Sequence, residues 1–333
     1  MIYNFRNLVF EGGGVKGIAY GGALSRIQEM GILEKIERVA GTSAGAITAT
    51  LLSVGYDAQS ISKIISETDF NKFQDNTFLF IRDLIRVFRK FGWNKGELFE
   101  VWMADLIEKK TGNKNLTFGQ LHEMVLKNEN QTKDLYIVAT NVSKQIAEFI
   151  SFENYPNMPI YKAVRMSMSI PLFFTAVKHQ SDYFVDGGIT ANFPIQIFDN
   201  LKYVDNPKNV IQAYGGYDDT YAFNYETLGF RVDSNTEKNN LINPITDSNW
   251  NSTKSLKNFL ITLSNFVIDM VNKKHLNQND WNRTIFIDSG NVGTTDFKLN
   301  KEKINFLINS GIRGVDDYFF WRNNDANWNK FPE

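Results

Sequence analysis

Residues 38–50 of the chain read RVAGTSAGAITAT, and this stretch carries the main prediction about the fold. Arg38–Ala40 predicts a short strand, the small residues after Gly45 predict a helix, and Ser43 lies in the tight turn between them. In such a turn the positions two before and two after the serine need to lack side chains, and here they are Gly41 and Gly45. The stretch therefore predicts a strand–turn–helix unit that points a helix N-terminus at Ser43.

A second unit of the same kind lies directly upstream. Asn7–Phe10 is a short apolar strand that enters a run of glycines, and residues Val15 to Met30 have the pattern of a helix. Two successive strand–loop–helix units are typical of a parallel sheet with helices packed on it. We therefore expect an α/β fold with a mainly parallel central sheet.

The rest of the chain adds strands and helices to this scheme. Residues 57–128 lack strand signals and show helical spacing, which predicts a helical insertion over the sheet. The further predicted elements are the helix Phe118–Leu126 with Thr117 as its N-cap, the strands Leu135–Thr140, Ala147–Phe152, Tyr183–Val185, Val210–Tyr214, Thr227–Val232 and Thr284–Asp288, and the helices Ile160–Ser169, Leu256–Val271 and Lys301–Trp321. No stretch has the composition of a linker, so we expect residues 7–200 to form a core and residues 201–333 to complete the same domain.

Composition excludes several classes of function. The chain has 333 residues with 36 Lys and Arg against 37 Asp and Glu, so it has no net field for binding nucleic acid. It contains no Cys, which excludes disulfides, thiolate zinc sites, Fe–S clusters and a cysteine nucleophile. A three-imidazole metal site would need all three widely spaced histidines, His122, His179 and His275. We therefore expect neither a metal nor an organic cofactor.

The sequence shows no targeting or membrane-spanning segment. The N-terminal apolar stretch is too short for a signal peptide, and no window approaches the roughly 18 apolar residues that a spanning helix needs. We expect a cytoplasmic or peripheral membrane location, although secretion without a cleaved signal would leave no trace in the sequence.

The upstream glycine run has two interpretations. Gly12, Gly14 and Gly17 match the dinucleotide pattern G-x-G-x-x-G, but the second strand lacks the terminal acidic residue that holds a ribose. Alternatively, backbone N–H groups of Gly12, Gly13 and Gly14 converge at a helix N-terminus and bind an oxyanion. Lys16 either braces this loop or lies on the solvated surface.

The base that would serve Ser43 is not an obvious histidine. None of the three histidines follows a strand beside glycine, whereas Asp186 ends the strand Tyr183–Val185 and precedes Gly187 and Gly188. Those glycines would let the carboxylate approach another loop closely, although Asp-Gly is also common in plain hairpin turns. Burial beside aromatic and aliphatic neighbours would raise the pKa of Asp186 toward useful basicity.

Together these motifs resemble the patatin-like phospholipases. Gly12–Gly17 is similar to the glycine-rich loop of that family, Gly41–Gly45 to its serine elbow and Asp186–Gly188 to its D-G-[GA] motif. Three further stretches are similar to bacterial members, and these are Ser167–Pro171, Gly188–Pro194 and Leu228–Arg231. The resemblance runs in order from about Asn7 to Asn200.

The resemblance implies both a fold and a reaction. The fold is a three-layer α/β/α arrangement with a helical insertion that can act as a lid. The reaction is hydrolysis of carboxylic esters of membrane lipids, with phospholipid or lysophospholipid as substrate. Ser43 is then the nucleophile, Asp186 the proton acceptor, and the loop Gly12, Gly13, Gly14, Lys16 and Gly17 the oxyanion hole. Family members vary in the insertion, so substrate preference is not carried over.

One segment of the insertion has an amphipathic pattern. Residues Phe78 to Phe91 place apolar side chains on one helical face and three arginines and a lysine on the other. Such a helix either packs on the core or docks on anionic lipid. If the protein contacts a membrane surface, we expect this segment to form the contact.

Two other functions stay open at this level. One is a nucleotide-binding protein that uses Gly12, Gly14 and Gly17. The other is a phospholipase effector that is silent until a partner or signal opens it, for which the long helical insertion is the sequence hint.

Overall fold

The structure is a computed structural model, and it describes residues 3–73, 92–94, 96–212, 220–233, 263, 266–267, 270–271, 277–294, 296 and 298–324. Its strands are β1 (Asn7–Phe10), β2 (Arg38–Thr42), β3 (Gly92–Asn94), β4 (Asp134–Asn141), β5 (Ile146–Ile150), β6 (Leu172–Phe174), β7 (Val177–His179), β8 (Asp182–Asp186), β9 (Val210–Gln212), β10 (Ala222–Asn224), β11 (Thr227–Asp233) and β12 (Thr284–Asp288). Its α-helices are α1 (Ala19–Glu29), α2 (Ala44–Ser53), α3 (Ala58–Glu67), α4 (Glu97–Thr111), α5 (Phe118–Leu126), α6 (Ile160–Ser167), α7 (Gly188–Ala191), α8 (Gln278–Asn282) and α9 (Lys301–Asn324).

A mostly parallel sheet forms the centre of the fold, in the order β12-β11-β1-β2-β4-β8-β7. The first five strands of this order run parallel to one another, whereas β8 is antiparallel to β4 and β7 is antiparallel to β8. Helices cover the sheet, and buried apolar residues of β1, β2, β4, α1 and α2 share one core cluster. The predicted α/β fold with a mainly parallel central sheet is confirmed.

The pairing along β4 brings two strand ends together. The strand β2 pairs with the first half of β4 and places Thr42 opposite Val138, while β8 pairs with the second half and places Asp186 opposite Ala139. Both lie on the same side of β4, because β5 occupies the other side along residues 137–141. The end of β2 therefore meets the end of β8, and Ser43 follows Thr42 directly at this meeting point.

The helices α1 and α9 pack closely on each other. The helix α1 packs against α9 so closely that a Cβ on Gly22 would overlap the Ile308 carbonyl group, and a Cβ on Gly311 would overlap the Ala19 carbonyl group. This approach positions the C-terminal helix directly beside the helix that follows the glycine loop.

Several predicted elements agree closely with the structure. The bounds of β1 and β12 are those predicted, and Thr117 forms a full capping box at the start of α5, in which its side chain and that of Gln120 each accept the other residue's backbone N–H. The predicted helix Val15 to Met30 is wrong in its first turn, because Gly14–Ile18 forms a tighter 3₁₀ turn before α1 begins.

The insertion and the C-terminal third differ more from expectation. The prediction that residues 57–128 contain no strand is wrong, since β3 pairs in parallel with β6 in a separate two-stranded sheet. Val210 belongs to β9, which pairs with β10 outside the central sheet. The predicted amphipathic helix Phe78 to Phe91 lies outside the described residues. Of the predicted helix Leu256–Val271, residues 263, 266–267 and 270–271 are described, and they are helical. In the described part of the chain, no helix has the length and apolar character needed to cross a membrane.

Candidate active site

Ser43 occupies a strained turn between β2 and α2. Its backbone has φ 52° and ψ −122°, a conformation that costs an L-residue on the order of 1–3 kcal/mol. The turn closes only because its flanks lack side chains, since a Cβ on Gly45 would overlap the carbonyl oxygens of Phe10 and Glu11. Gly41 lies against the Gly45 carbonyl in the same way. The structure thus places Ser43 in the elbow that the sequence predicts.

Two neighbours from one segment hold Ser43 in this turn. Its backbone N–H donates to Ser167 Oγ at 2.8 Å, and its Oγ lies 3.5 Å from the sulfur of Met168. The Ser43 side chain is covered, because the residue is only 5% exposed. Ser167 and Met168 have no predicted role of their own, and the signal in the sequence that points to them is the motif Ser167–Pro171.

Asp186 is buried next to Ser43, at 1% exposure. Burial raises the pKa of Asp186 to about 7, while hydrogen bonds from the Gly188 N–H and the Ser43 hydroxyl act in the opposite direction. The Gly188 N–H donates to Oδ1 at 2.7 Å, and Oδ2 has no geometrically well-formed hydrogen bond among the described residues. The Ser43 hydroxyl is directed to the sulfur of Met168. Asp186 is therefore a carboxyl group that exchanges its proton near neutral pH, beside a serine hydroxyl.

The backbone around Asp186 is held as firmly as that around Ser43. Its N–H donates to the Ser169 carbonyl at 2.8 Å, and its carbonyl accepts the Thr140 hydroxyl at 2.8 Å. Gly187 lies against the Val138 carbonyl, where a Cβ would not fit. The segment that contacts Ser43 therefore also fixes Asp186.

The glycine loop borders the serine. A Cβ on Gly12 would lie 3.1 Å from the Cβ of Ser43, and Gly17 packs against Ala44 in the first turn of α2. The Gly12 N–H donates to the Asn192 carbonyl at 3.0 Å, so it is not available to an oxyanion, contrary to the expectation that all three glycines contribute. The N–H groups of Gly13 and Gly14 have no acceptor among the described residues.

A buried polar network supports the loop from behind. Asn192 donates from Nδ2 to the Gly12 carbonyl at 2.9 Å, and Glu11 accepts the Val232 N–H at 3.0 Å. Burial raises the pKa of Glu11 to about 8, against the opposing charges of Arg231 and Lys16. Lys16 is itself buried, so it does not lie on the solvated surface. Asn192 lies within the motif Gly188–Pro194, and no sequence pattern singles out Glu11.

The described histidines lie away from Ser43. The Nδ1 of His122 bonds to Asp134 Oδ1 at 2.8 Å, and Asp134 pairs with the first residue of β2, about 13 Å along the strand from its end. His179 pairs with Asp182 at the start of β8, about as far from Asp186. His275 lies outside the described residues. Within the described ranges, no group of three or more His, Asp or Glu is placed to hold a metal ion.

A cavity of about 640 Å³ lies on the far side of Asn192. Tyr136, Phe193 and Tyr203 are among its walls, but neither Ser43 nor Asp186 lines it. Ser43 and Asp186 therefore lie outside this cavity, and both are buried.

Comparison with known proteins identifies the family to which these motifs belong. The family model for patatin-like phospholipases matches residues 8–199, which is more than half of the chain. Curated relatives include an uncharacterized protein, YqhO, of Bacillus subtilis (36% identity over 204 residues, 57% of this chain and 65% of the relative). They also include a protein of Invertebrate iridescent virus 6 named "Probable lipid hydrolase 463L" (29% identity, 62% of this chain and 66% of the relative). The match thus spans less than two thirds of the length of these relatives.

Solved structures share the fold at low sequence identity. VipD from Legionella pneumophila superposes with a TM-score of 0.58 at 20% identity, over 95% of this chain and 67% of that chain. ExoU from Pseudomonas aeruginosa, solved in a heterodimeric complex with SpcU, gives a TM-score of 0.54 at 18% identity, over 96% of this chain and 52% of that chain. At this identity the similarity establishes the shared fold.

Proposed function

Because the chain belongs to the patatin-like phospholipase family, we propose that it is a lipid acyl hydrolase that cleaves carboxylic esters of membrane lipids. The observation that carries this proposal is the pairing of Ser43 in a strained elbow with Asp186, a buried carboxyl whose pKa is raised to about 7.

In the first half of the reaction, Ser43 Oγ attacks the ester carbonyl carbon and Asp186 takes the hydroxyl proton. The carbonyl oxygen gains the displaced electron pair, and the N–H groups of Gly13 and Gly14 are the donors that would stabilise it. When the tetrahedral intermediate collapses, the bond to the alcohol breaks and Asp186 returns the proton to the leaving oxygen. Met168 has to move aside for the ester to reach Ser43.

In the second half, water replaces the alcohol. Asp186 takes a proton from the water, whose oxygen attacks the acyl-enzyme carbonyl and forms the carboxylic acid. Ser43 leaves with the proton held by Asp186, which restores the starting state. Each step uses groups of this chain and water, so we expect activity to persist in a strong chelator.

The nucleotide-binding interpretation finds no support in the geometry. The loop containing Gly12 borders Ser43, and β2 ends in Thr42 with no carboxylate. The second alternative, a hydrolase that is silent until a partner or signal opens it, stays a prediction. Two observations favour it, namely the 5% exposure of Ser43 and the heterodimeric complex in which ExoU was solved.

The test is a panel of phospholipids, lysophospholipids and short-chain esters, assayed with the wild type and with Ser43→Ala and Asp186→Asn. We expect both variants to lose at least about 10³-fold in turnover, since one lacks the nucleophile and the other cannot accept its proton. A fluorophosphonate ester should label the wild type on Ser43 alone. Ser25→Ala is the matched control, because Ser25 bonds to the Gly21 carbonyl within α1, remote from the site. Full activity of Ser43→Ala with an unchanged melting curve would contradict the proposal.

A further inference from the structure

A second cavity, of about 460 Å³, lies at the edge of the central sheet beside β12. Its walls come from α8, β12 and α9. The strand β12 is three positions from β2 in the sheet, which separates the cavity from the Ser43 strand by about 14 Å. Nothing in the ester chemistry described above uses this cavity.

Aromatic rings dominate the walls. The aromatic residues are Trp281, Phe286, Tyr318 and Trp321. The Trp281 ring stacks on Phe286 with centroids 4.5 Å apart, and the Tyr318 ring lies 5.9 Å from that of Trp321. Trp281 and Trp321 remain 37% and 38% exposed, so two indole rings are accessible from solvent in one concave site.

The walls are held in place before any ligand binds. The Tyr318 hydroxyl donates to the Asn282 carbonyl at 3.0 Å, which ties α9 to α8 across the cavity. Gly314 lets α9 approach β12, since a Cβ there would lie 2.8 Å from the Phe286 carbonyl oxygen. A preformed, aromatic-lined cavity is the usual form of a small-ligand site.

One charged side chain belongs to the described walls of the cavity, and it is a carboxylate. Among the described lining residues Asp317 is charged, and none is Lys, Arg or His. Asp317 is exposed and forms no ion pair or hydrogen bond among the described residues, whereas its neighbour Asp316 binds Arg26 at 2.6 Å. Electron-rich ring faces with a single carboxylate favour a cation over an anion or a neutral ligand.

We propose that this cavity binds a trimethylammonium group, either of a soluble compound such as choline or of a choline lipid head group. A quaternary ammonium cannot donate hydrogen bonds and is weakly hydrated, so it gains most from aromatic faces. A primary ammonium or a guanidinium would need several acceptors. Apart from the aromatic residues, the described walls offer one carboxylate and three neutral polar side chains, of which Asn282 already accepts from Gln278 and Thr284 donates to the Asp280 carbonyl.

The first experiment is calorimetric titration of the full chain with choline and with 3,3-dimethylbutan-1-ol, which has the same shape without the charge. We expect choline to bind about tenfold more tightly than the neutral isostere. Equal binding of both compounds, or binding of neither, would overturn the proposal. Displacement of choline by a neutral pyranose at similar concentration would overturn it as well.

The residue test uses a matched pair of aspartates. Asp317→Asn should weaken choline binding several-fold, while Asp316→Asn, which breaks only the contact with Arg26, should leave it unchanged. Trp281→Ala and Trp321→Ala should each abolish binding. Both aspartates are exposed, so Asp317→Asn remains informative even if a tryptophan variant fails to fold. Unchanged affinity in Asp317→Asn would count against the site.

A vesicle arm identifies the source of the group. Retention on phosphatidylcholine vesicles over phosphatidylglycerol vesicles, competed by free choline, assigns the lipid head group. Choline binding in solution without such retention assigns a soluble ligand. Hydrolysis of soluble esters should be the same in Asp317→Asn as in the wild type, so failure of this proposal is distinguishable from failure of the proposed ester hydrolysis.

Discussion

Ser43 depends on a second serine for its backbone conformation. Its N–H is buried in a strained turn and has the Ser167 hydroxyl as its acceptor, at 2.8 Å. Removing that acceptor leaves a buried donor unsatisfied, which costs about 1–3 kcal/mol, and frees the turn to relax. Under the proposed mechanism Ser167 is a positioning residue, since it contacts the backbone of Ser43 and would act on its hydroxyl oxygen only through that backbone.

We expect Ser167→Ala to lower kcat on a soluble ester by roughly 10- to 100-fold, with KM little changed, because the misplaced oxygen affects the transition state more than binding. Ser169→Ala is the matched control from the same buried segment. The Ser169 hydroxyl bonds to Arg165, not to Ser43, so its loss should lower the melting temperature and leave kcat nearly intact. An equal loss of kcat in the two variants would contradict a positioning role for Ser167.

We expect Asp186 to set the pH dependence of ester hydrolysis. Burial raises its pKa to about 7, so the carboxyl is protonated and unable to act as base at lower pH. With short soluble esters, kcat/KM should rise about tenfold per pH unit up to about pH 7 and then level off. Replacing His122, His179 or His275 singly by Gln should leave this rise of kcat/KM with pH unchanged. If replacing one histidine abolished the rise of kcat/KM with pH, that histidine and not Asp186 would be the titrating group.

Ser43 and Asp186 can be predicted as site residues from the sequence, whereas the residues that hold them in place cannot. A serine between two glycines and an aspartate before two glycines are local patterns, readable without a structure. Ser167, Asn192 and Glu11 act by contacts across strands and loops that are distant in the chain. The backbone group with which each of them forms a hydrogen bond depends on how the strands pair, and no local sequence pattern indicates that pairing.

At the scale of elements, the three glycines of the loop, Gly12, Gly13 and Gly14, differ in their backbone conformation and in the space around them. Gly12 has its N–H committed to Asn192, and Gly14 has φ +54° with the Thr294 carbonyl where a Cβ would lie. Gly13 has a negative φ of −153°, and a Cβ there would meet only the Cβ of Lys16 at an ordinary 3.5 Å. The loop thus tolerates a methyl group at one of its three glycines.

Two alanine variants test this difference. Gly14→Ala should move the loop and its amide donors, and lower turnover by roughly 10²- to 10³-fold. Gly13→Ala should retain most of the activity, because the side chain fits and the amide stays in place. Turnover and melting curves of both variants provide the check. Comparable losses in the two variants would mean that the free amide donors are not where we place them.

Predicted and observed elements agree best where the sequence pattern of an element is long and has clear boundaries. The strands β1 and β12 are apolar runs bounded by polar or glycine residues, so their limits are readable. The helix α5 begins at a capping box, which is a strong local signal. The strands β3 and β6 have three residues each, which is too short for a periodic pattern to be recognised. They pair with each other although they are far apart in the chain.

At the scale of the whole molecule, the family region is interleaved with the rest of the chain. The strand β1 lies between β2 and β11, so its second neighbour comes from beyond residue 200. Phe10 stacks on Phe230 with centroids 5.1 Å apart, and α1 packs on α9. That residues 201–333 complete one domain with residues 7–200 is a prediction, and this interleaving is the reason to expect it.

A fragment of residues 1–200 tests that prediction. Without β11, β1 becomes an exposed sheet edge, and without α9 the tightly packed face of α1 meets water. We expect the fragment to lack a cooperative melting transition and to hydrolyse no ester, although it retains Ser43, Asp186 and the glycine loop. Co-expression with residues 201–333 should restore part of both properties, since the missing strand and helix can still pair with their neighbours. If the fragment alone melts cooperatively and cleaves esters, residues 201–333 form a separate unit and the single-domain prediction is wrong.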